Sequence, residues 1–263
     1  MKWVRLLIYY NKCSITSVSN LKLNMNLIID IGNTLTKVAL ADGKEVKFFQ
    51  SYHELDINDL MPVINDFKPE KCIVSAVGKI PVNTLVWLRQ NLPVHIAGAN
   101  TKIPLINDYS TPETLGFDRL ALAVGANYLF QNQTVLVIDA GTAITYDLVT
   151  SEGVYKGGAI SPGLRLRFKA LNDYTAKLPL IKHFKTVGIV GTSTAECISS
   201  GVINGTVLEI EGYIGKINSI YEGCVVVLTG GDANFLANML KNSIFVNPFL
   251  MVIGLNRILE FNV

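Results

Sequence analysis

One short sequence pattern occurs twice in this chain of 263 residues, and it limits the folds that the chain can adopt. Asp30 to Thr34 (Asp-Ile-Gly-Asn-Thr) is echoed 109 residues later, counted from aspartate to aspartate, by Asp139 to Ala143 (Asp-Ala-Gly-Thr-Ala). Each copy follows an apolar β-rich run, continues into an alternating run and then reaches an acidic residue followed by glycine. Self-similarity at a long period indicates duplication of a structural unit. The pattern therefore predicts two related half-domains.

Hydrophobic periodicity supplies the elements of both halves. Strands are predicted at about 26–31, 34–41 and 45–50, and again at about 134–139, 143–149 and 153–160. Helices and single strands then alternate, which favours parallel strands beside the antiparallel hairpins, so that each sheet should be mixed. Helices are predicted near 57–67, from Thr111 towards Phe130, near 193–221 and at the end of the chain, whose packing partner the sequence leaves open.

This order of elements resembles the ribonuclease-H-like half of the actin, sugar-kinase and Hsp70 architecture. We therefore expect an α/β fold of two duplicated actin-like ATPase domains, with mixed sheets around a central cleft. Residues 25–133 and 134–263 are the expected half-domains, with their boundary near 131–133.

Composition excludes several classes of protein. Hydrophobic residues make up 49% of the chain, yet no apolar run approaches the roughly 18–20 residues that a membrane-spanning helix needs. The formal net charge is +2 with scattered basic residues, unlike the basic patch of a nucleic-acid-binding protein. The four cysteines lie far apart without a C-x-x-C pair, which favours a reducing cytoplasm over a disulfide or zinc framework. Cys72 and Cys224 are predicted to be small buried residues.

Residues 1–24 precede the first copy of the repeat. Lys2 and Arg5 before an apolar run from Leu6 to Tyr10 faintly resemble a signal peptide, but the run is short and no clear cleavage site follows. We interpret this segment as an extension from an upstream start codon or a dispensable tail, with the folded protein beginning near Met25.

The first copy of the repeat carries groups suited to binding phosphate. Gly32 allows a tight turn whose backbone can approach an anion, and the N–H groups of such a turn can donate to phosphate oxygens. Asp30 could hold Mg²⁺ directly or through water, because magnesium prefers carboxylates and keeps part of its hydration shell. The alternative for this motif alone is a plain hairpin in which Asp30 caps the turn.

The second copy repeats this chemistry and favours the ligand-binding interpretation. Asp139, Gly141 and Thr142 occupy the equivalent strand end. Asp147, on the next predicted strand, either joins a cation site or is an exposed strand residue, and we favour the exposed position. Asp232, after Gly230-Gly231, is expected to serve mainly as a helix N-cap.

A third candidate element is the segment from Gly116 to Arg119 in the early part of a helix. Asp118 there is favoured as an ionised carboxylate by the helix dipole and could accept a proton from a substrate hydroxyl. Arg119 could pair with an acidic substrate or with the transferring phosphoryl group. The alternative is a first-turn aspartate beside a solvated arginine. No G-x-x-x-x-G-K-[ST] and no G-x-G-x-x-G after a strand occurs, which excludes a P-loop and argues against a Rossmann site.

Taken together, these motifs resemble the type III pantothenate kinases, a bacterial branch of the actin-like kinase superfamily. The similarity extends over nearly everything from Met25 onward. Besides the three elements above, it involves the segments 157–163, 175–179 and 191–201.

The resemblance implies phosphorylation of pantothenate at its 4′-hydroxyl by ATP, the first step of coenzyme A biosynthesis. It implies Asp118 as proton acceptor, Mg²⁺ with the nucleotide, a monovalent cation (K⁺ or NH₄⁺) at Asp139, and a homodimer. The residues implied for ATP are Asp30, Ile31, Gly32, Asn33, Thr34, Leu35, Thr36, Lys37 and Thr142. The residues implied for pantothenate are Tyr109, Gly116, Phe117, Asp118, Arg119 and Thr194.

Two other functions stay open at the level of sequence. An actin-like regulatory protein could bind ATP without transferring phosphate, because one fold serves many tasks. Another small-molecule kinase of the superfamily could act on a different acceptor. The segment from Gly116 to Arg119 favours a kinase over a nucleotide switch, since a switch needs no base beside a substrate pocket.

Overall fold

The structure is a computed structural model that describes residues 25–32, 34–77, 80–183 and 185–262. Its strands form two mixed sheets. The first sheet contains β1 (Asn26–Ile31), β2 (Thr36–Asp42), β3 (Glu45–Tyr52), β4 (Lys71–Ala76) and β5 (Val94–Ile96). The second contains β6 (Ile106–Asn107), β7 (Val135–Ala140), β8 (Ala143–Val149), β9 (Val154–Pro162), β10 (Val225–Thr229) and β11 (Phe245–Val246).

The two sheets share one strand order, apart from β6, which adds a sixth strand beside β9 in the second sheet. The first has the order β3-β2-β1-β4-β5, and the second has the order β11-β10-β7-β8-β9-β6. β1 pairs antiparallel with β2 and parallel with β4, while β7 pairs antiparallel with β8 and parallel with β10. The predicted α/β duplication with mixed sheets is therefore confirmed. The two-residue strands β6 and β11 were not predicted, because a strand of that length shows no alternation.

Seven helices accompany the strands in the described ranges. They are α1 (Ile57–Phe67), α2 (Val82–Asn91), α3 (Phe117–Leu129), α4 (Leu164–Asp173), α5 (Thr194–Ile220), α6 (Ala233–Ala237) and α7 (Leu250–Phe261). None of these helices combines the length and apolar character needed to cross a bilayer.

Local capping explains the helix boundaries. Asp56 and Asp59 form a capping box at the start of α1, which begins at the predicted residue. Ser193 accepts from the backbone of Glu196 at the start of α5. The helix predicted from Thr111 begins later, because residues 112–114 form a separate 3₁₀ turn and Leu115 is extended. Gly116 then precedes α3.

The core is layered. One face of the first sheet packs against α1 and α2, and one face of the second packs against α4, α5 and α6. The opposite faces enclose α3 and α7 in a shared apolar layer. Within it, α3 contacts β7 and β8 of the second sheet, whereas α7 contacts β1, β2 and β4 of the first. The C-terminal helix thus returns to the first sheet, a placement that the sequence had left open.

Close approach of α3 and α7 holds this layer together. A Cβ atom on Gly254 of α7 would lie 1.8 Å from the carbonyl oxygen of Ala121 in α3. Glycine is needed here because the backbones meet directly. The contact fixes α3, and with it the segment that begins at Gly116, between the two sheets.

Candidate active site

The two repeated aspartates face the layer between the sheets. Alternate residues of a strand point to the same side. Ile28 lies in the shared core with α3 and α7, so Asp30, two residues later, points to that side as well. Val137 lies in the same core, and Asp139 follows it with the same alternation. The duplicated hairpins therefore direct one carboxylate each towards the first turn of α3.

Asp30 is buried and lies opposite Lys37 in the β1–β2 hairpin. The Nζ atom of Lys37 is 3.5 Å from Oδ2 of Asp30. Burial raises the pKa of the Asp30 carboxyl group, Lys37 lowers it in part, and the charge of Asp118 raises it. In the turn, the Gly32 backbone donates to the carbonyl oxygen of Leu35 at 3.1 Å.

Asp139 has the more strongly shifted pKa of the pair. Burial raises its pKa to about 6; Lys37 opposes this rise, while the charges of Asp118, Asp147 and Asp30 add to it. Carboxylates on both sheets and on α3 thus contribute to the raised pKa of Asp139. Gathering like charges is unfavourable unless a cation or a proton joins them, and such arrangements mark functional sites.

Asp118 lies in the first turn of α3, nearer to the helix start than predicted, because α3 begins at Phe117 and not near Thr111. Its side chain is exposed, and Oδ1 accepts from the Arg119 backbone N–H at 2.9 Å. An exposed carboxylate in the first turn of a helix is accessible to an incoming molecule. The group can therefore accept a proton from an incoming hydroxyl.

The preferred position of Asp147 was wrong: its side chain is fully buried. Its Oδ1 atom accepts from Nε and Nη2 of Arg119 at 2.9 and 2.7 Å, and from the Tyr155 hydroxyl at 2.7 Å. The sequence carried a signal for this, because Asp147 pairs with Val137 and hence shares the sheet face of Asp139. Arg119 is buried as well, so the solvated alternative for this residue is also wrong.

Arg119 remains beside Tyr109, the other residue implied for substrate. Its guanidinium lies 5.8 Å from the centre of the Tyr109 ring. Burial lowers the pKa of Arg119, but the hydrogen bonds and charge of Asp147 outweigh this effect and raise it, so the group stays charged.

The second turn is braced by two loops. Gly163 donates to the carbonyl oxygen of Thr142 at 3.0 Å, and Asp232 donates through its backbone to Ala140 at 3.0 Å. Gly230 has a φ of +95°, and a Cβ atom there would lie 2.3 Å from Oδ1 of Asp139. Only glycine fits this position, so the turn after β10 forms one wall around Asp139.

Asp232 does not act as predicted. It occupies the N-cap position of α6, but its side chain makes no capping hydrogen bond. The side chain is buried, and its Oδ1 atom lies 3.6 Å from Nη1 of Arg165. The start of this short helix is instead held by the hydrogen bond from the Asp232 backbone to Ala140 of β7.

The other residues implied for ATP and pantothenate do not all lie on the side of the sheets that carries Asp30 and Asp139. Thr34 and Thr142 are exposed in the two turns, whereas the side chains of Ile31 and Thr36 line the opposite face of the sheet. Thr194 is the exposed first residue of α5, and no contact in the described part of the chain joins it to the carboxylates. Asn33 and the segment before Met25 lie outside the described residues.

A cavity of about 190 Å³ lies behind the first turn rather than among the carboxylates. Apolar side chains such as Ile29, Leu55 and Leu88 dominate its wall, with His53 and Glu54 nearby. It holds no group of convergent charges. The chemistry therefore belongs to the carboxylate cluster on the other face of β1.

The donor set indicates which ions fit. In the described ranges, no three His, Cys, Asp or Glu side chains are grouped so as to hold a metal ion. Asp30 could supply one carboxylate to a Mg²⁺ ion that phosphate oxygens carry. Thr145, the cross-strand neighbour of Asp139, has a buried hydroxyl without a hydrogen-bond partner in the described part of the chain, so these two residues could hold a monovalent cation.

Solved structures confirm the fold. A protein from Campylobacter jejuni, described as a candidate Baf family transcriptional activator, has a TM-score of 0.60 at 23% identity, covering 90% of this chain and 98% of its own. A candidate N-acetylmannosamine kinase from Listeria monocytogenes has a TM-score of 0.53 at 14% identity, covering 91% and 100%. Identities this low support the architecture alone.

Sequence relatives identify the family. A profile described as type III pantothenate kinase matches residues 26–216. The type III pantothenate kinase of Phocaeicola vulgatus is 45% identical over 242 residues, covering 90% of this chain and 99% of the relative. That of Flavobacterium johnsoniae is 40% identical over 241 residues, covering 91% and 99%. The chain therefore belongs to the type III pantothenate kinase family.

Proposed function

We propose that this protein transfers the γ-phosphoryl group of ATP to the 4′-hydroxyl of pantothenate, the first step of coenzyme A biosynthesis. One observation carries the proposal beyond family membership. Asp118 is exposed at the start of α3, and this helix packs in the layer between the strands that carry Asp30 and Asp139. A nucleotide switch would not need this third, exposed carboxylate. The proposal includes a cytoplasmic location, because the reaction uses ATP as the phosphoryl donor.

The two repeated turns would hold the phosphates of ATP. The exposed hydroxyl groups of Thr34 and Thr142 can donate to phosphate oxygens, and the Lys37 ammonium adds a positive charge. Magnesium on the nucleotide supplies further neutralisation of phosphate charge. Phosphoryl transfer depends mainly on such positioning and charge stabilisation.

Asp118 would act on the acceptor side. Its exposed carboxylate accepts the proton of the attacking hydroxyl, which lowers the barrier for an alcohol nucleophile. Gly116, Phe117 and Arg119 adjoin Asp118 in the chain, Tyr109 lies near the Arg119 guanidinium, and these residues would contact pantothenate. Thr194 completes the set by resemblance alone.

Two further features belong to the proposal. A monovalent cation at Asp139 would offset the carboxylates gathered there, which accords with the raised pKa of that group. A homodimer is supported by apolar side chains on the surface of α5, where Tyr213 and Ile220, seven residues apart, share one helix face and are 38% and 70% exposed. Sedimentation of the purified protein over a range of concentrations tests the dimer.

Pantothenate-dependent release of ADP tests the activity. The assay contains ATP, Mg²⁺ and K⁺, with pantothenate, N-acetylmannosamine, glucose or acetate as acceptors. We expect ADP release with pantothenate and a phosphorylated product of matching mass. Equal release without any acceptor would support the regulatory alternative, and release with another acceptor would support a different kinase. Replacing K⁺ by Na⁺ should lower the rate if the cation site is as proposed.

A further inference from the structure

A buried hydrogen-bond network connects the interior of the second sheet to the acceptor side of the site. Its centre is the Oδ1 atom of Asp147, which accepts from two nitrogens of Arg119 and from the hydroxyl of Tyr155. The other oxygen, Oδ2, has no hydrogen-bond partner in the described part of the chain. A buried carboxylate is costly unless it is paired, so these three donors fix Asp147 and Arg119 relative to each other.

The network extends from Arg119 in two directions. Its backbone N–H donates to Oδ1 of Asp118 at 2.9 Å, and its guanidinium lies against the Tyr109 ring. The Tyr109 and Tyr155 rings are 6.2 Å apart, so Tyr155 touches both ends of the network. The buried carboxylate of Asp147 thus holds Arg119 directly and Tyr109 indirectly, through Arg119 and Tyr155.

The orientation of Arg119 follows from these bonds. A guanidinium has five N–H donors arranged in a plane. Asp147 engages Nε and Nη2, so the N–H groups of Nη1 are the ones that remain for an acceptor. Without the buried carboxylate, rotation of the long side chain would remove that orientation.

We propose that Asp147 is a positioning residue for the acceptor: together with Tyr155 it holds Arg119 so that its outer N–H groups meet the carboxylate of the substrate. The inference rests on the proposed function, because pantothenate is the acceptor that supplies this carboxylate. Asp147 touches neither substrate nor nucleotide and acts only through Arg119. The alternative is that Asp147 merely compensates the charge of a buried arginine.

The structure contains a matched control. On the other face of β8, the carboxylate of Glu209 accepts from Nη2 of Arg167 at 2.6 Å and from the hydroxyl of Tyr146 at 2.8 Å. Glu209 also accepts from the Ser161 hydroxyl, and its ion pair is partly exposed, but it shares the carboxylate, arginine and tyrosine groups of the Asp147 network. None of these residues belongs to the proposed site, so Glu209→Gln removes a carboxylate charge from a comparable network elsewhere.

Steady-state kinetics of Asp147→Asn separates the two interpretations. We expect the KM for pantothenate to rise about 10- to 100-fold, as for loss of a charge-assisted contact, with the KM for ATP unchanged within about twofold. The kcat should fall less than the KM rises. Tyr155→Phe, which keeps the ion pair, should give a smaller rise in the same constant. For the neutral amide of pantothenate, wild type and both variants should differ by less than about threefold.

The outcomes that overturn the inference are specific. An unchanged or lowered KM for pantothenate in Asp147→Asn, or an equal rise in Glu209→Gln, would reduce Asp147 to a structural role. If Asp147→Asn does not fold, Tyr155→Phe decides the question by the same criterion.

A structural readout separates this inference from the proposed function. If the wild-type protein releases no ADP with pantothenate, the proposed function fails. A crystal structure of Asp147→Asn, or of Tyr155→Phe, then tests the positioning claim alone. A displaced Arg119 guanidinium supports it, whereas a guanidinium that stays against Tyr109 refutes it.

Discussion

Lys37 lies directly across the β1–β2 hairpin from Asp30, and its ammonium nitrogen is 3.5 Å from a carboxylate oxygen of that residue. The lysine is about two-fifths exposed, while the aspartate is nearly covered. The pair therefore presents its positive end to the space between the sheets. In the second hairpin, Thr145 occupies the corresponding cross-strand position opposite Asp139. The duplicated hairpins are thus unequal in charge, and the first is the better anchor for phosphate.

Replacing Lys37 by Met should weaken nucleotide binding. We expect the KM for ATP to rise roughly 10- to 100-fold, because a charge-assisted contact to phosphate is lost, while the KM for pantothenate changes little. Lys47→Met is the control, since Lys47 pairs with the exposed Glu45 on β3, away from the site. Initial rates at varied ATP give the answer, and an unchanged KM for ATP in Lys37→Met would contradict the assignment.

Asp118→Asn should abolish most turnover while leaving the fold and nucleotide binding intact. The amide keeps the shape of the side chain but cannot accept the proton, and loss of a general base typically lowers kcat by about 10²- to 10⁴-fold. The exposed Asp118 contributes little to the core, so the melting temperature should stay close to that of wild type. Glu113→Gln, in the preceding 3₁₀ turn, provides a neighbouring acidic control. Normal turnover of Asp118→Asn would mean that another base acts, or none.

Titration of Asp139 should make the stability of the cation-free protein depend on pH. The pKa of this group is raised to about 6, above its ordinary value of 3.8. Between these values the folded protein keeps a proton that the unfolded chain has lost, so the free energy of unfolding falls as pH rises through this window. In Asp139→Asn the free energy of unfolding should not fall in this window, because asparagine does not titrate. By pH 7 the variant should gain up to about 3 kcal/mol relative to wild type.

Urea unfolding of both proteins at pH 4.5 and pH 7, with choline as the only monovalent cation, measures this difference. Addition of K⁺ at pH 7 should then stabilise the wild type and leave Asp139→Asn unchanged, since the ion replaces the missing proton. A difference in stability that is independent of pH would exclude Asp139 as the titrating group. Equal stabilisation of both proteins by K⁺ would place the cation elsewhere.

The sequence predicted the strands of both hairpins, because an exposed turn between apolar runs leaves a local signal. It also predicted that Asp118 lies in the early part of a helix, although α3 begins at Phe117 and not near Thr111. It could not predict that Asp147 is buried. A single aspartate in an alternating strand is equally consistent with solvent and with a buried arginine 28 residues away. The partner comes from tertiary packing, which local periodicity does not encode.

The placement of α7 was hidden for a similar reason. An apolar helix signals burial but not the sheet that it will cover. The decisive contact, Gly254 against the backbone of Ala121, depends on two residues 133 positions apart, of which neither has a distinctive side chain. Gly230 illustrates the same limit at the site. The motif Gly230-Gly231 is visible in the sequence, but only the structure shows that the first glycine is constrained and the second is not.

Gly230→Ala should therefore disturb Asp139, whereas Gly231→Ala should not destabilise the fold. At Gly230 the φ of +95° is unfavourable for alanine, and the new methyl group would meet Oδ1 of Asp139 and the backbone of Ala140. At Gly231 a Cβ atom would meet no atom within 4 Å. We expect Gly230→Ala to lose about 1–3 kcal/mol of stability.

The same variant should also lose the stabilisation by K⁺, because its added methyl group displaces the carboxylate that would hold the ion. Urea unfolding with and without K⁺ tests both effects, and Gly231→Ala should retain the wild-type response. If Gly230→Ala were as stable and as responsive to K⁺ as wild type, the turn after β10 would not be a wall of the Asp139 site. The proposed cation position would then need to move away from that turn.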